Sequence, residues 1–197
     1  CATVFVEIFR NVPALILLIF FAFGLPNLLP ADSRRTLLFA NPVVDAVSSV
    51  TSLPVPYYAF AAILALSLNT GAHLAEILRS GMDAVPAERI EAARTFGASS
   101  RTACRTITVP DGVRIAFPGI SNRLVHNLKN TALVSFLAVP DAYHQIQAVI
   151  TETFEATELL LFAAGLYLAL AALLELGLRR IKSALWRGRP IDRSADV

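Results

Sequence analysis

Hydrophobic runs of membrane-spanning length alternate along this chain with polar stretches rich in Arg, Glu and Pro. Residues 11–31 (NVPALILLIFFAFGLPNLLPA) carry no charge, and a helix needs roughly 20 such residues to cross a bilayer. A second run starts at the Tyr57-Tyr58 pair, aromatic residues suited to a membrane interface, and continues to Arg79. A third is interrupted by Arg114, Arg123, His126 and Lys129. A charge at mid-membrane costs roughly 2.5–3.5 kcal/mol, so those side chains are expected to face protein or water. The last run is the plainest, with Glu175 one helical turn before Arg179 and placed to neutralise it. The pattern predicts an all-α integral membrane protein, one transmembrane domain, with four transmembrane helices at about 9–29, 57–78, 112–139 and 159–178.

Two polar stretches differ in character. Asp32 to Pro56 reads as a linker, because Pro42, Pro54, Pro56 and a Ser/Thr run discourage any persistent helix. Pro86 to Pro110 (PAERIEAARTFGASSRTACRTITVP) reads instead as two short helices meeting at a glycine. Pro86 suits a first helical turn, Gly97 a helix stop at positive φ, Ser99 and Ser100 an N-cap, and Pro110 a close. A charged helix–turn–helix loop over residues 80–111, set between spans, is most simply a docking surface.

Composition agrees: 55% of the 197 residues are hydrophobic and 16% charged, where a soluble domain is nearer a quarter charged. The net charge of +2 matters less than its placement. Of the 17 Lys and Arg residues, six lie in Arg79–Arg114 and six beyond Leu178, whereas Asp141–Glu158 holds acids but no Lys or Arg. By the positive-inside rule the loop and the C-terminus share the cytoplasmic side. There is no glycine-rich phosphate loop, no metal-ligand spacing among His73, His126, His144 and the two cysteines, and no nucleophile–base set. No catalytic residues are expected. A DNA-reading helix-turn-helix is disfavoured because acids nearly balance the arginines in the loop, leaving little attraction for phosphate. A secondary transporter or channel working without ATP is the remaining alternative.

The loop resembles the E-A-A loop of permease subunits from ATP-binding-cassette importers: Glu91-Ala92-Ala93, then Gly97, then Ile107 and Pro110. Glu7 to Pro26 resembles a span of the polar amino-acid permeases (E-L-F-R-G-T-P-L-L-V-Q-L-F-F-I-Y-F-G-L-P), with Val12, Leu17 and Ala22 at the Thr, Gln and Tyr positions. The second run resembles the family's third span, with His73 where the family usually has Tyr, and Ala87-Glu88-Arg89 stands where it usually has Lys-Gly-Gln. Arg114 to Leu133 resembles R-I-A-L-P-P-L-x-N-x-x-I-x-L-L-K-D-T-S-L, with Asn130 for Asp and Ala132 for Ser.

The resemblance implies a type I importer core of five helices, so that an N-terminal span is missing here. It implies that Glu91, Ala92, Ala93, Gly97, Ile107 and Pro110 couple to a cytoplasmic ATPase, and that Lys129, Asn130, Thr131 and His73 are candidates for the substrate pathway. The implied partners are that ATP-binding subunit, a second permease subunit, a periplasmic or extracellular amino-acid-binding protein and the lipid bilayer, with no nucleic acid. No cofactor is expected in this chain; ATP and magnesium would sit on the ATPase. The implied location is the bacterial inner membrane, and the implied action is amino-acid import by alternating access.

Overall fold

The computed structural model describes residues 2–51, 56–137 and 139–186. Pro54, one of the two cysteines (Cys1) and three of the six basic residues beyond Leu178 (Arg187, Arg189 and Arg193) lie outside them. Every regular element among the described residues is helical.

Two long helices form the frame. Helix α6 (Tyr57–Asp83) and helix α9 (Val109–Asn130) make the most extensive helix–helix contact among the described residues. Their crossing depends on small residues. A side chain at Gly81 would meet the Gly112 carbonyl at 2.5 Å, and one at Gly112 would meet the Met82 Cα at 2.8 Å. Small residues that let backbones touch are how helices associate where water gives no hydrophobic drive. Helix α11 (Ala156–Leu185), about 45 Å long at 1.5 Å per residue, packs on α9 and leaves Leu161, Phe162, Leu168 and Leu173 exposed. Helices α6 and α11 are long and apolar enough to cross a membrane.

The first predicted span is broken. Helix α1 (Ala2–Asn11) and the rod α2 (Ala14–Ile19), π-turn Phe20–Gly24 and α3 (Leu25–Asn27) meet at 101° around Val12-Pro13. As one bent pair they would give a third apolar span. Arg10 therefore lies in α1, before the bend, where it reaches Glu76 of α6 at 3.4 Å and Glu7 at 3.6 Å.

Prolines explain the bend and its repair. Pro13 has no N–H to return to the Phe9 carbonyl, and the side chain of Asn69 on α6 donates to that carbonyl at 2.7 Å. The same repair recurs 12 residues earlier on α6. The π-turn runs its ladder i→i+5, with the Leu25 N–H on the Phe20 carbonyl, so Pro26 would be next to serve Phe21 and cannot. The Tyr57 hydroxyl donates to the Phe21 carbonyl at 2.7 Å instead. The core lies here, where Leu17, Leu18 and Ala22 pack on Tyr57, Ala61, Ala62 and Ala65, closed by Val134 and Leu137.

Three further expectations are corrected. Residues 32–56 are not an irregular linker, for helices α4 (Ala31–Phe39) and α5 (Pro42–Thr51) occupy most of the stretch. Pro30 and Pro42 stand at helix starts, where a missing N–H breaks no bond. Pro110 does not close the second short helix. A π-turn at Cys104–Thr108 leads straight into α9, with Pro110 in its first turn. Both π-turns end two residues before a proline, because the wider turn accommodates a residue that cannot donate. Beyond Asn130 the third apolar run tightens into a 3₁₀ helix, Thr131–Leu137, where the Thr131 and Ser135 hydroxyls bond back to the Leu128 and Ala132 carbonyls. The acidic stretch 141–158 contains helix α10 (Ala142–Thr153), capped by the Asp141 carboxylate on the His144 N–H at 2.7 Å.

Candidate functional site

Two places carry the residues singled out by sequence. One is the projecting knob between α6 and α9. Helix α7 (Ala87–Thr95) begins at Pro86 and ends in a paired C-terminal cap: Gly97 N–H bonds Arg94 O at 2.9 Å, and Ala98 N–H bonds Ala93 O at 3.0 Å. This arrangement needs a residue at positive φ, and Gly97 supplies it at +85°. The chain then turns into the short helix α8 (Ser100–Ala103), where Ser99, not Ser100, is the N-cap and accepts the Thr102 N–H at 3.2 Å. The Ser100 hydroxyl accepts instead from Arg94 at 2.8 Å, closing the turn between the helices.

Glu91 and Ala92 face outward on the knob, Ala93 and Ile107 are half-buried, and Phe96 is 93% exposed at its tip. Glu91 makes no ion pair among the described residues, since Arg94 has turned to Ser100. Pro110 is half-buried at the junction with α9.

A latch that the sequence reading missed fixes the knob to the frame. Arg89 of α7 reaches the buried Asp111 carboxylate at 2.6 Å, and Arg114 approaches the same carboxylate at 4.0 Å. Asp111 sits in the first turn of α9, where an acid also meets the positive end of the helix dipole. An acid directly after Pro110 was the available signal. Arg89 is one of the three positions where the loop departs from the family pattern.

The other place is a cleft of about 350 Å³ between the α1–α2 bend, α6 and α9. His73 and Asn130 line it together with Arg10, Asn69, Arg123 and His126. Lys129 is exposed and does not line it, and the Thr131 hydroxyl is turned back to the Leu128 carbonyl. The hub is Asn69, 3% exposed: its amide N–H₂ serves the Phe9 carbonyl and its amide oxygen accepts from the Arg123 guanidinium. Thus one side chain joins the bend to α9. Beside it the His126 ring lies 3.3 Å from the Asn130 amide and 3.4 Å from Arg123. The cleft is cationic and rich in hydrogen-bond donors, and it offers no nucleophile with a base. Among the described residues no three His, Cys, Asp or Glu gather as metal ligands would.

Comparison with known proteins gives a family, three relatives and a solved structure. A family model described as "Binding-protein-dependent transport system inner membrane component" matches residues 1–186. An octopine transport system permease protein of Rhizobium radiobacter is 32% identical over 144 residues, covering 69% of this chain and 59% of its own length. The chain thus spans about three-fifths of that relative. An arginine ABC transporter permease protein of Haemophilus influenzae is 30% identical over 91% of this chain and 74% of its own, and a probable glutamine ABC transporter permease protein of Bacillus subtilis is 28% identical over 93% and 74%. A solved structure titled as an amino acid ABC transporter with histidines superposes with a TM-score of 0.70 over 92% of this chain and 74% of that one. At 22% identity the likeness is one of fold.

Proposed function

The chain belongs to the family of binding-protein-dependent transport system inner membrane components, and from that premise we propose that it is a permease subunit importing an amino acid or a related solute by alternating access. The observation that carries this reading is the knob: an exposed helix–glycine–helix unit clamped by Arg89 to the base of α9. An exposed apolar tip at Phe96 and an unpaired Glu91 make a surface for a partner, and an ATPase supplies the force that this chain has no residues to generate.

The route of that force follows from the contacts. A push on α7 reaches Asp111 through Arg89, and Asp111 opens α9. Helix α9 carries Arg123, His126 and Asn130 into the cleft, so displacement of its base changes the cleft walls. The tight Gly81–Gly112 crossing makes α6 and α9 move as a pair. Such a switch needs ATP and the loaded solute-binding protein to favour different states. The substrate class is supported by relatives whose names specify octopine, arginine and glutamine transport.

In this reading ATP and magnesium sit on the partner ATPase, a second permease subunit completes the pathway, and a solute-binding protein delivers cargo. The knob and C-terminus face the cytoplasm of a bacterial inner membrane. His73, Asn130 and their cleft neighbours form the pathway side of this subunit.

Reconstitution of the complete permease with its ATPase and binding protein into liposomes tests the proposal. ATP-dependent uptake of at least one labelled amino acid or opine is expected, with loss of uptake in Gly97→Asp. Uptake of none from a full panel, or uptake indifferent to ATP, overturns it.

A further inference from the structure

We propose that the groove between α9 and α11, at the knob end of the molecule, holds one anionic phospholipid. Its phosphate would occupy a basic cleft and an acyl chain the apolar track that adjoins it. Two cavities meet there and share Arg179 and Lys182. The first, about 290 Å³, is walled by Arg114, Ser183 and Trp186 besides those two cations. The second, about 180 Å³, continues between the helices and is lined by Phe117, Pro118, Val125 and Leu178 together with Ser121, Asn122 and Glu175. A basic chamber continuous with an apolar furrow has the polarity of a lipid, head and tail.

The charges in the chamber are not balanced from within. Glu175 takes Arg179 at 2.7 Å. Asp111 is committed to Arg89 at 2.6 Å and stands 4.0 Å from Arg114. The Arg114 side chain is 17% exposed, and its Nε is buried without a hydrogen-bond partner. A buried donor left unmet is unfavourable, and phosphodiester oxygens would meet it. Lys182 makes no ion pair among the described residues. Trp186 closes the chamber, edge-on to Phe117 at a centroid separation of 4.8 Å, as aromatic residues do at the level of lipid headgroups.

Position favours a lipid over a phosphate from solution. The outward side chains of α11 stay apolar through Leu168, Leu170 and Leu173, and exposed charges begin at Glu175, Arg179 and Arg180 beside the chamber, so it lies where the chain passes from hydrocarbon to water. Basic pockets between membrane helices at that level take anionic headgroups. A free phosphate would leave the Phe117–Leu178 furrow unfilled.

The test needs no transport and is independent of the function proposed above. The permease complex in mild detergent is exposed to phosphatidylglycerol or to phosphatidylcholine of the same acyl chains, and native mass spectrometry counts retained lipid. One phosphatidylglycerol per permease chain is expected, in preference to phosphatidylcholine and undisplaced by glycerol 3-phosphate. Removing two cations in Arg114→Gln/Lys182→Gln is expected to weaken retention about thirty-fold. Lys182→Gln alone, which leaves every ion pair above intact, is expected to weaken it about fivefold. Equal retention of the two lipids, no change in Lys182→Gln, or displacement by glycerol 3-phosphate would each overturn the assignment.

Discussion

Single side chains on α6 hold the helix breaks together, and their removal has predictable costs. Tyr57 is 5% exposed and its hydroxyl is the donor to the Phe21 carbonyl. Tyr57→Phe keeps the ring packing and strips only that donor, leaving a buried carbonyl unmet, at a cost of about 1–2 kcal/mol. Thermal unfolding in detergent should show a lower midpoint, and an unchanged one would mean that water serves Phe21. Arg89 is different, because its loss strands a charge. The Asp111 side chain is 11% exposed while that of Arg89 is 60% exposed, so solvent screens one end of the pair. Arg89→Gln is expected to cost about 1–2 kcal/mol, because it leaves the buried Asp111 carboxylate with only Arg114 at 4.0 Å. The same single variant should uncouple ATP hydrolysis from uptake. Sequence alone revealed neither role: a tyrosine at an interface and an arginine in a charged loop are ordinary there, and only the fold brings Phe21 and Asp111 to them.

At the level of whole elements, the legible parts were those whose pattern has one cause. Helices α6 and α11 follow from uninterrupted apolar length, and α7 from Pro86 at its start and Gly97 past its end. Misreadings came from proline, which says different things by position. Pro30 and Pro42 open helices that were read as linker, Pro13 forces a bend in a run read as straight, and Pro110 sits inside a continuous rod read as ending there. Hydropathy cannot rank these outcomes, since they depend on whether the proline opens a helix, follows a π-turn, or leaves a carbonyl that a neighbouring element serves. Glycines divide in the same way. Gly112→Val would push a side chain into the Met82 backbone at 2.8 Å, spread the α6–α9 crossing and cost about 1–3 kcal/mol. Gly71 on α6 has nothing within 4 Å of an added Cβ, so Gly71→Ala should leave stability unchanged or raise it by about 0.5–1 kcal/mol. Parallel unfolding curves of the two variants check both directions, and similar losses in each would show that glycine acts through backbone flexibility instead of close approach.

Across the whole molecule, charge and shape point the same way. Arg79, Arg89, Arg94, Arg101, Arg105 and Arg114 gather at the knob end, and Arg179, Arg180 and Lys182 of α11 return to it through Arg114 and the α9–α11 groove. Glu152, Glu155 and Glu158, with no Lys or Arg among them, lie at the far end of α11. The positive-inside bias would hold the basic end on the cytoplasmic side, as in the proposed orientation. Cys104 tests this, because it is a free, exposed thiol within the π-turn that joins knob to α9. With Cys1 replaced by Ser, a membrane-impermeant maleimide should label Cys104 in inside-out vesicles and spare it in right-side-out ones. Labelling of right-side-out vesicles would invert the molecule, place the knob beyond the reach of any ATPase, and remove the physical basis for energy coupling through Arg89 and Asp111. Protection of Cys104 when the ATPase is bound would carry the argument one step further, since the π-turn lies between the Gly97 stop and the first turn of α9, on the path by which a push on α7 would travel.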